Sequence, residues 1–158
     1  MSFFRAANTA TMVMGPGDIY TFLAATAETD GAYFMLEGAV PPGAGPPPYI
    51  HHDQAETFYV VEGQLEVMVD GEVHEAKAGD FLHVSKGSPH SFINRSQAPA
   101  KLIATFVPAG NAEKFFREAM DETTDRNATP PSLDDAMIQR MMAAAERNGV
   151  EILPPPQG

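Results

Sequence analysis

The chain has 158 residues, 44% of them hydrophobic, a formal net charge of −11 and no cysteine. That length favours one domain with room for a sizeable core, and the composition is globular rather than disordered. Ten scattered Lys and Arg residues cannot form the basic stripe that nucleic acid or an anionic membrane surface needs, and without cysteine there are no disulfides, thiolate ligands or thiol nucleophile.

In chain order, Met1 to Met14 carry one Arg and no long apolar stretch, so this segment reads as an N-terminal arm or strand and not as a secretory leader. No apolar run approaches the ~20 residues of a membrane span, and a cytoplasmic location is expected. Tyr20–Ala25 and Ala32–Val40 read as strands on either side of the polar turn Glu28-Thr29-Asp30-Gly31. The stretch from Pro41 to Pro48 predicts a rigid loop that feeds the next strand, because strand-like patterns resume immediately after it. Glu56–Val61 and Gln64–Val69 flank Glu62-Gly63, and Asp70-Gly71 is a strong hairpin signal. Phe81–Val84, His90–Asn94 and Lys101–Val107 complete a region of short strands and frequent turns, which argues for an all-β architecture.

After Pro108 the period changes. A helix is predicted over Asn111–Glu122, with Asn111 as N-cap and Phe115, Phe116, Ala119 and Met120 on one face. A polar loop follows over Thr123–Pro131. Ser132 with Asp135 resembles a capping box for a second helix, whose apolar face is Leu133, Met137, Met141 and Ala144 or Ala145. Gly149 is expected to stop that helix, and Pro154-Pro155-Pro156 ends the chain. The methionine stripe is expected to pack into the core.

Two constellations carry chemistry. The first runs Gly43, five residues, Tyr49-Ile50-His51, four residues, Glu56, six residues, Gly63; the second runs Gly79, five residues, Ser85-Lys86-Gly87, two residues, His90, three residues, Asn94. Side chains alternate along a strand, so Tyr49 shares a face with His51, Glu56 with Phe58 and Val60, and His90 with Phe92 and Asn94. If the three faces look into one barrel, His51, Glu56 and His90 surround a point, and Phe58, Val60 and Phe92 form an apolar pocket wall. Two imidazoles and a carboxylate are the ligand type of non-haem iron oxygenases and also suit Zn, Mn, Co or Ni. The same three residues could instead form a metal-free hydrogen-bonded network, since a buried Glu needs either a cation or donors. His52 and His74 are expected at the surface. His83 is ambiguous by strand parity and is a fallback third imidazole. Asn94 is expected to satisfy backbone groups near a turn.

These spacings resemble the two motifs of the cupin superfamily, with Tyr49 in place of the first motif histidine and Ser85 in place of the motif proline. The run Tyr20-Thr21-Phe22-Leu23, the Pro41–Pro48 loop and the helical tail resemble quercetin dioxygenase-like cupins. The resemblance implies an all-β fold: a single jelly-roll-like cupin β-barrel over residues 15–108, with two C-terminal α-helices in an extension over 109–158 that packs on it. In that family the ligands are three His and one Glu. The resemblance therefore offers His51, Glu56 and His90 as ligands of one divalent transition metal, of identity not specified among Fe, Mn, Ni, Co and Zn. Tyr49 then sits at the vacant place, as a pocket wall or hydrogen-bond donor rather than a ligand, because a phenol has a pKa of about 10.

The function this implies is a metal-dependent oxygenase for a small neutral, phenolic or enol-like substrate, with Glu56 as ligand and proton acceptor and Tyr49 beside it. One alternative is a non-redox isomerase or cyclase using Zn or Tyr49/His51 acid–base chemistry; the other is a small-molecule-binding cupin without turnover. No Lys or Arg lies on the inward strand faces, which favours a neutral substrate over an anion, although Lys86 and Arg95 could reach the mouth. Tyr59 and Val61 point away from the pocket, and a homodimer through that face is expected.

Overall fold

The computed structural model describes residues 1–154; Pro155 and Pro156 of the terminal proline run, and the last residues of the 109–158 extension, lie outside the described residues. In chain order the elements are β1 (Met12–Met14), β2 (Ile19–Ala24), a 3-10 turn at Thr26–Thr29, β3 (Phe34–Val40), β4 (Tyr49–His51), β5 (Ala55–Glu62), β6 (Gln64–Val69), β7 (Glu72–Lys77), β8 (Phe81–Val84), β9 (His90–Ile93), β10 (Ala100–Val107), α1 (Ala112–Ala119), β11 (Asp121–Thr123), α2 (Asp135–Arg147) and β12 (Val150–Ile152).

Two antiparallel sheets result. One has seven strands in the order β11-β1-β2-β3-β10-β5-β8, and the other five in the order β12-β4-β9-β6-β7. Alternation in the sequence decides which face each strand buries. In β3 the buried residues are Phe34, Leu36, Gly38 and Val40; in β10 they are Ala100, Leu102, Ala104 and Phe106. These inner rows join Phe58, Val60, Leu65, Val67 and Phe92 in one core between the sheets. The jelly-roll expectation holds, but backbone hydrogen bonding does not run continuously around a barrel. Each sheet keeps two edges, and strands β7 and β8 are edges of opposite sheets.

The segment after Pro108 does more than lie on the sandwich. Strand β11 pairs with β1, and β12 pairs with β4, so the extension supplies an edge strand to each sheet. Helix α1 is an amphipathic element whose Phe115, Phe116 and Ala119 are buried. Phe116 stacks among Tyr20, Phe34 and Phe106, with ring centroids 5.3, 6.0 and 5.7 Å away. The second helix starts later than expected: Asp134, not Ser132, is its N-cap, and its side chain accepts from the Met137 amide at 2.8 Å. Asp and Ser are comparable caps, so proximity to the first packed residue, Met137, decides between them. Leu133 therefore falls before the helix and is exposed, while Met137, Ala144 and Ala145 form the buried face.

Candidate functional site

Strand β4 presents Tyr49 and His51 on one face, and the cross-strand partner of Tyr49 is His90 on β9. Glu56 reaches the same point from the other sheet, because the inward row of β5 begins with it. His90 Nε2 lies 2.6 Å from Glu56 Oε2, and His51 Nε2 lies 3.7 Å from the same oxygen. All three side chains are fully enclosed, none more than 2% exposed. The residues that the sequence nominates as ligands are thus brought together. Their spacing is collapsed, however. Among the described residues no three His, Cys, Asp or Glu groups are laid out as a ready cation cage, and His90 is hydrogen-bonded directly to Glu56.

Hydrogen bonding defines the chemistry of each imidazole. His90 Nδ1 lies 2.9 Å from the Ser88 carbonyl, which can only accept, so Nδ1 carries a proton and Nε2 faces Glu56. A bare lone pair held 2.6 Å from a carboxylate oxygen is repulsive, so this contact calls for a proton or a cation between the two atoms. Burial opposes a charge on His90, but the hydrogen bond to Glu56 and the Glu56 charge outweigh it and leave the His90 pKa raised. His51 is different. Both of its ring nitrogens are buried without a hydrogen bond of full geometry; burial pulls its pKa down, outweighing the nearby Glu56 charge and the Gln54 side chain, which lies close enough to favour the charged form. It is a neutral imidazole with a free lone pair.

A metal-free core network, one expectation from the sequence, would be a closed set of hydrogen bonds. Leaving a buried polar group unpaired costs about 1–3 kcal/mol, and His51 is left unpaired on both nitrogens. Neutral imidazole is the form that first-row ions take, and the carbonyl behind His90 is the kind of support that orients a ligating ring. In donor type, tautomer and burial, His51, Glu56 and His90 fit one divalent transition ion.

Tyr49 stands over this trio. Its hydroxyl is 3.3 and 3.4 Å from the two Glu56 oxygens, and its ring centroid is 4.2 Å from that of His90. Burial, then the Glu56 charge, push its pKa well above the usual 10, so it remains a phenol that donates to the carboxylate. A small cavity of about 40 Å³ reaches Tyr49 and His51, with Tyr20, Phe115, Phe116 and Met141 among its walls. Glu56 and His90 do not line it, because Tyr49 intervenes. The cavity continues outward, past Tyr20, Pro46, Pro47, Met120, Met141 and Ile152, into a chamber of about 240 Å³. No Lys or Arg lines either space. Lys86 and Arg95 are exposed and do not line these spaces, and Arg95 pairs with Glu66.

The expected pocket wall needs correction. Phe58, Val60 and Phe92 are inward and buried, but they are core below the site, and none lines the cavity at Tyr49. Phe58 and Val60 instead border a separate cleft beside β7 and β8. Strand parity identifies the inward face but says nothing about which end of the sandwich is open. The open end is bounded by the Pro46-Pro47 turn and the C-terminal helices, elements far apart in sequence from the motif strands. Gly45 makes that turn possible. Its φ is +151°, and a Cβ there would lie 2.1 Å from the Phe92 carbonyl, so the loop hugs β9 as only glycine allows. Asp18 and Tyr20 are further pocket residues that sequence reasoning passed over. Their sole signal was an Asp in the turn just before a strand, two positions ahead of an inward Tyr.

Other expectations fall into place. His52 is exposed and pairs with Glu151 at 2.8 Å, His74 is exposed, and His83 is exposed on β8 and takes no part in the site. Asn94 is buried, its amide donating to the Val40 and Ala98 carbonyls at 2.9 and 2.7 Å.

Comparison with known proteins agrees with this architecture. The cupin domain family model matches residues 36–106. Quercetin 2,3-dioxygenase from Bacillus subtilis is 34% identical over 103 residues, 65% of this chain and 30% of that protein. The chain spans 30% to 62% of the length of this and three other curated relatives. Polyketide synthase CurC from Streptomyces cyaneus is 28% identical and matches over 85% of both chains. Among solved structures, an RmlC-like cupin from Shewanella frigidimarina superposes with a TM-score of 0.62 at 24% identity, over 72% of this chain and 96% of its own. With the motif strands, the two-sheet topology and the inward His and Glu side chains in place, residues 36–106 match the cupin domain and the chain carries the cupin fold.

Proposed function

We propose that this protein is a metal-dependent cupin oxygenase acting on a small neutral phenolic or enolic substrate, with His51, Glu56 and His90 holding one divalent transition ion. The observation that carries the reading is His51: an enclosed imidazole whose ring nitrogens make no hydrogen bond of full geometry, beside a carboxylate and a second imidazole whose Nδ1 faces the Ser88 carbonyl. Similarity to quercetin 2,3-dioxygenase supports the reaction class. A divalent transition ion bound there would act as a Lewis acid on a substrate oxygen and, if redox-active, support chemistry with dioxygen.

The protein's own contribution is proton handling and exclusion. A substrate hydroxyl entering the inner cavity meets Tyr49 and His51 first. Tyr49 takes up that proton as it passes its own to Glu56, 3.3 Å away; such long contacts in a ligand-free site tighten when substrate binds. Apolar walls keep water away and disfavour anionic ligands that lack a cationic clamp.

A second reading has its own observation. Tyr49 separates the cavity from Glu56 and His90, an arrangement suited to acid–base chemistry without oxygen, and CurC matches over nearly the whole chain. Two measurements test both readings. Fe, Mn, Ni, Co and Zn are titrated into chelator-treated wild type and into His51→Ala, and quercetin turnover is followed with and without oxygen. The oxygenase predicts ion binding that His51→Ala loses and ion-dependent oxygen uptake. Product without oxygen favours the second reading. Equal ion affinity in both proteins overturns the metal reading.

A further inference from the structure

We infer that the outer chamber is a binding site for the body of a flat, uncharged aromatic substrate, and that Asp18 selects one carrying a hydrogen-bond donor at the end remote from Tyr49. This deepens the proposed function and rests on its reading of the inner cavity as the place where the reacting hydroxyl sits.

Size sets the first limit. A water-sized group needs about 10–15 Å³ and a benzene ring fits a cavity of about 150 Å³. The inner cavity, at about 40 Å³, therefore admits an oxygen-bearing head and no ring. The chamber outside it, at about 240 Å³, has room for rings. Six residues line both spaces, so a single rigid molecule can occupy them together. Pro46 and Pro47 form one wall, and Ile138, Met141 and Met142 of α2 form the facing one. Prolines present a stiff apolar surface and methionines an adaptable one, a pairing suited to a planar ring system.

Polarity sets the second limit. Among the described residues Asp18 is the one carboxylate lining the chamber, and no Lys or Arg lines it. It sits in the turn between β1 and β2 and is 4% exposed. Tyr20 donates to its Oδ2 at 2.5 Å, and this is its one side-chain partner. Its Oδ1 packs against Gly15, where a Cβ would stand 2.5 Å away. A buried carboxylate supported by Tyr20 and by its own backbone amide, and lining an apolar chamber, is the charged acceptor available to a ligand there. A donor on the ligand, a hydroxyl first of all, completes it, whereas a ligand carboxylate is repelled. Burial raises the Asp18 pKa against the hydrogen bonds from Tyr20 and its own backbone amide.

The test uses three matched probes on chelator-treated protein, with binding followed by calorimetry: 2,6-dihydroxynaphthalene, its monomethyl ether, which keeps one hydroxyl for the Tyr49 end, and naphthalene-2,6-dicarboxylate. The diol should bind about tenfold or more tightly than the ether, as a hydrogen bond to a charged group implies, and the dicarboxylate should not bind. Asp18→Ala should bring diol and ether within about threefold of each other. Met142→Trp fills the chamber from a half-exposed helix position that tolerates substitution, and should abolish diol binding while leaving ion affinity unchanged. Equal binding of diol and ether by wild type, dicarboxylate binding, a diol preference that survives Asp18→Ala, or wild-type diol affinity in Met142→Trp would each overturn the assignment. Diol selectivity in a protein that binds no ion would sink the metal reading alone and leave the chamber assignment standing.

Discussion

Replacing Tyr49 by His puts an imidazole where the phenol now hydrogen-bonds to Glu56, and restores the histidine that the motif spacing otherwise leads one to expect. Tyr49→His should tighten ion binding by about tenfold or more, since a fourth protein donor joins the set. Tyr49→Phe should change ion affinity little and slow turnover, because it removes the proton path without removing a ligand. Ion titration set beside turnover separates the two effects; a Tyr49→Phe protein that loses the ion would make the phenol a ligand. Gly45 offers a stability test at the same scale. A methyl group there meets the Phe92 carbonyl at 2.1 Å and a φ of +151°, so Gly45→Ala should destabilise the fold by about 2 kcal/mol or more in urea unfolding. The ligand candidates were legible in the sequence, because spacing on alternating strands places them. Tyr49's position between cavity and carboxylate was not, because it depends on the β4–β9 register.

Helix α1 is tied to the strand layer by Glu113, which accepts from the Thr26 amide at 2.6 Å and from Arg117 at 2.9 Å. Partial burial works against a charge on Glu113, but these hydrogen bonds, the Thr26 amide foremost, outweigh it and hold its pKa below the usual 4.5. A carboxylate with a depressed folded-state pKa adds stability that is present above 4.5 and is lost as pH falls through the folded value. Glu113→Gln should therefore cost about 1 kcal/mol at pH 7, with allowance for partial exposure, and the gap from wild type should narrow below pH ~4.5. Urea unfolding at several pH values checks this; a gap that is constant with pH would show that the charge contributes nothing. Both helices were readable from period, but their ends were not: Asn111 makes no side-chain cap hydrogen bond, and α1 stops at Ala119 where β11 follows, short of the expected Glu122. Ser132 and Asp134 are similar caps, and the packing of Met137 selects the second.

At the scale of the molecule, the outer face of β5 and β8 carries Tyr59, Val61 and Phe81, all exposed, with Tyr59 directly opposite Phe81 across the pair. Adjacent exposed aromatic and β-branched side chains form an apolar surface, which two-fold pairing would cover. Sedimentation should give twice the chain mass of 17.0 kDa, and Phe81→Glu should return single chains with unchanged circular dichroism. A wild-type particle of 17.0 kDa at micromolar concentration would count against the pairing. Among the described residues no helix is long and apolar enough to cross a membrane.

What the sequence determined by itself is local. Alternation chose the inward rows of β3, β5, β9 and β10, the motif spacing put His51, Glu56 and His90 on those rows, and helical period marked Phe115, Phe116, Ala119 and Met120 for burial. These outcomes follow from periods of 2 and 3.6, which residues reveal without neighbours. The tertiary structure decided the rest. It left two sheets with free edges in place of a closed barrel, and recruited the short strands β1, β11 and β12, whose three residues each are too few for a period to show. It also opened the pocket toward Pro46, Pro47, Tyr20 and the C-terminal helices, away from Phe58, Val60 and Phe92. Which end of a sandwich stays open depends on where distant segments pack, and contacts between residues a hundred positions apart leave no periodic trace in one sequence.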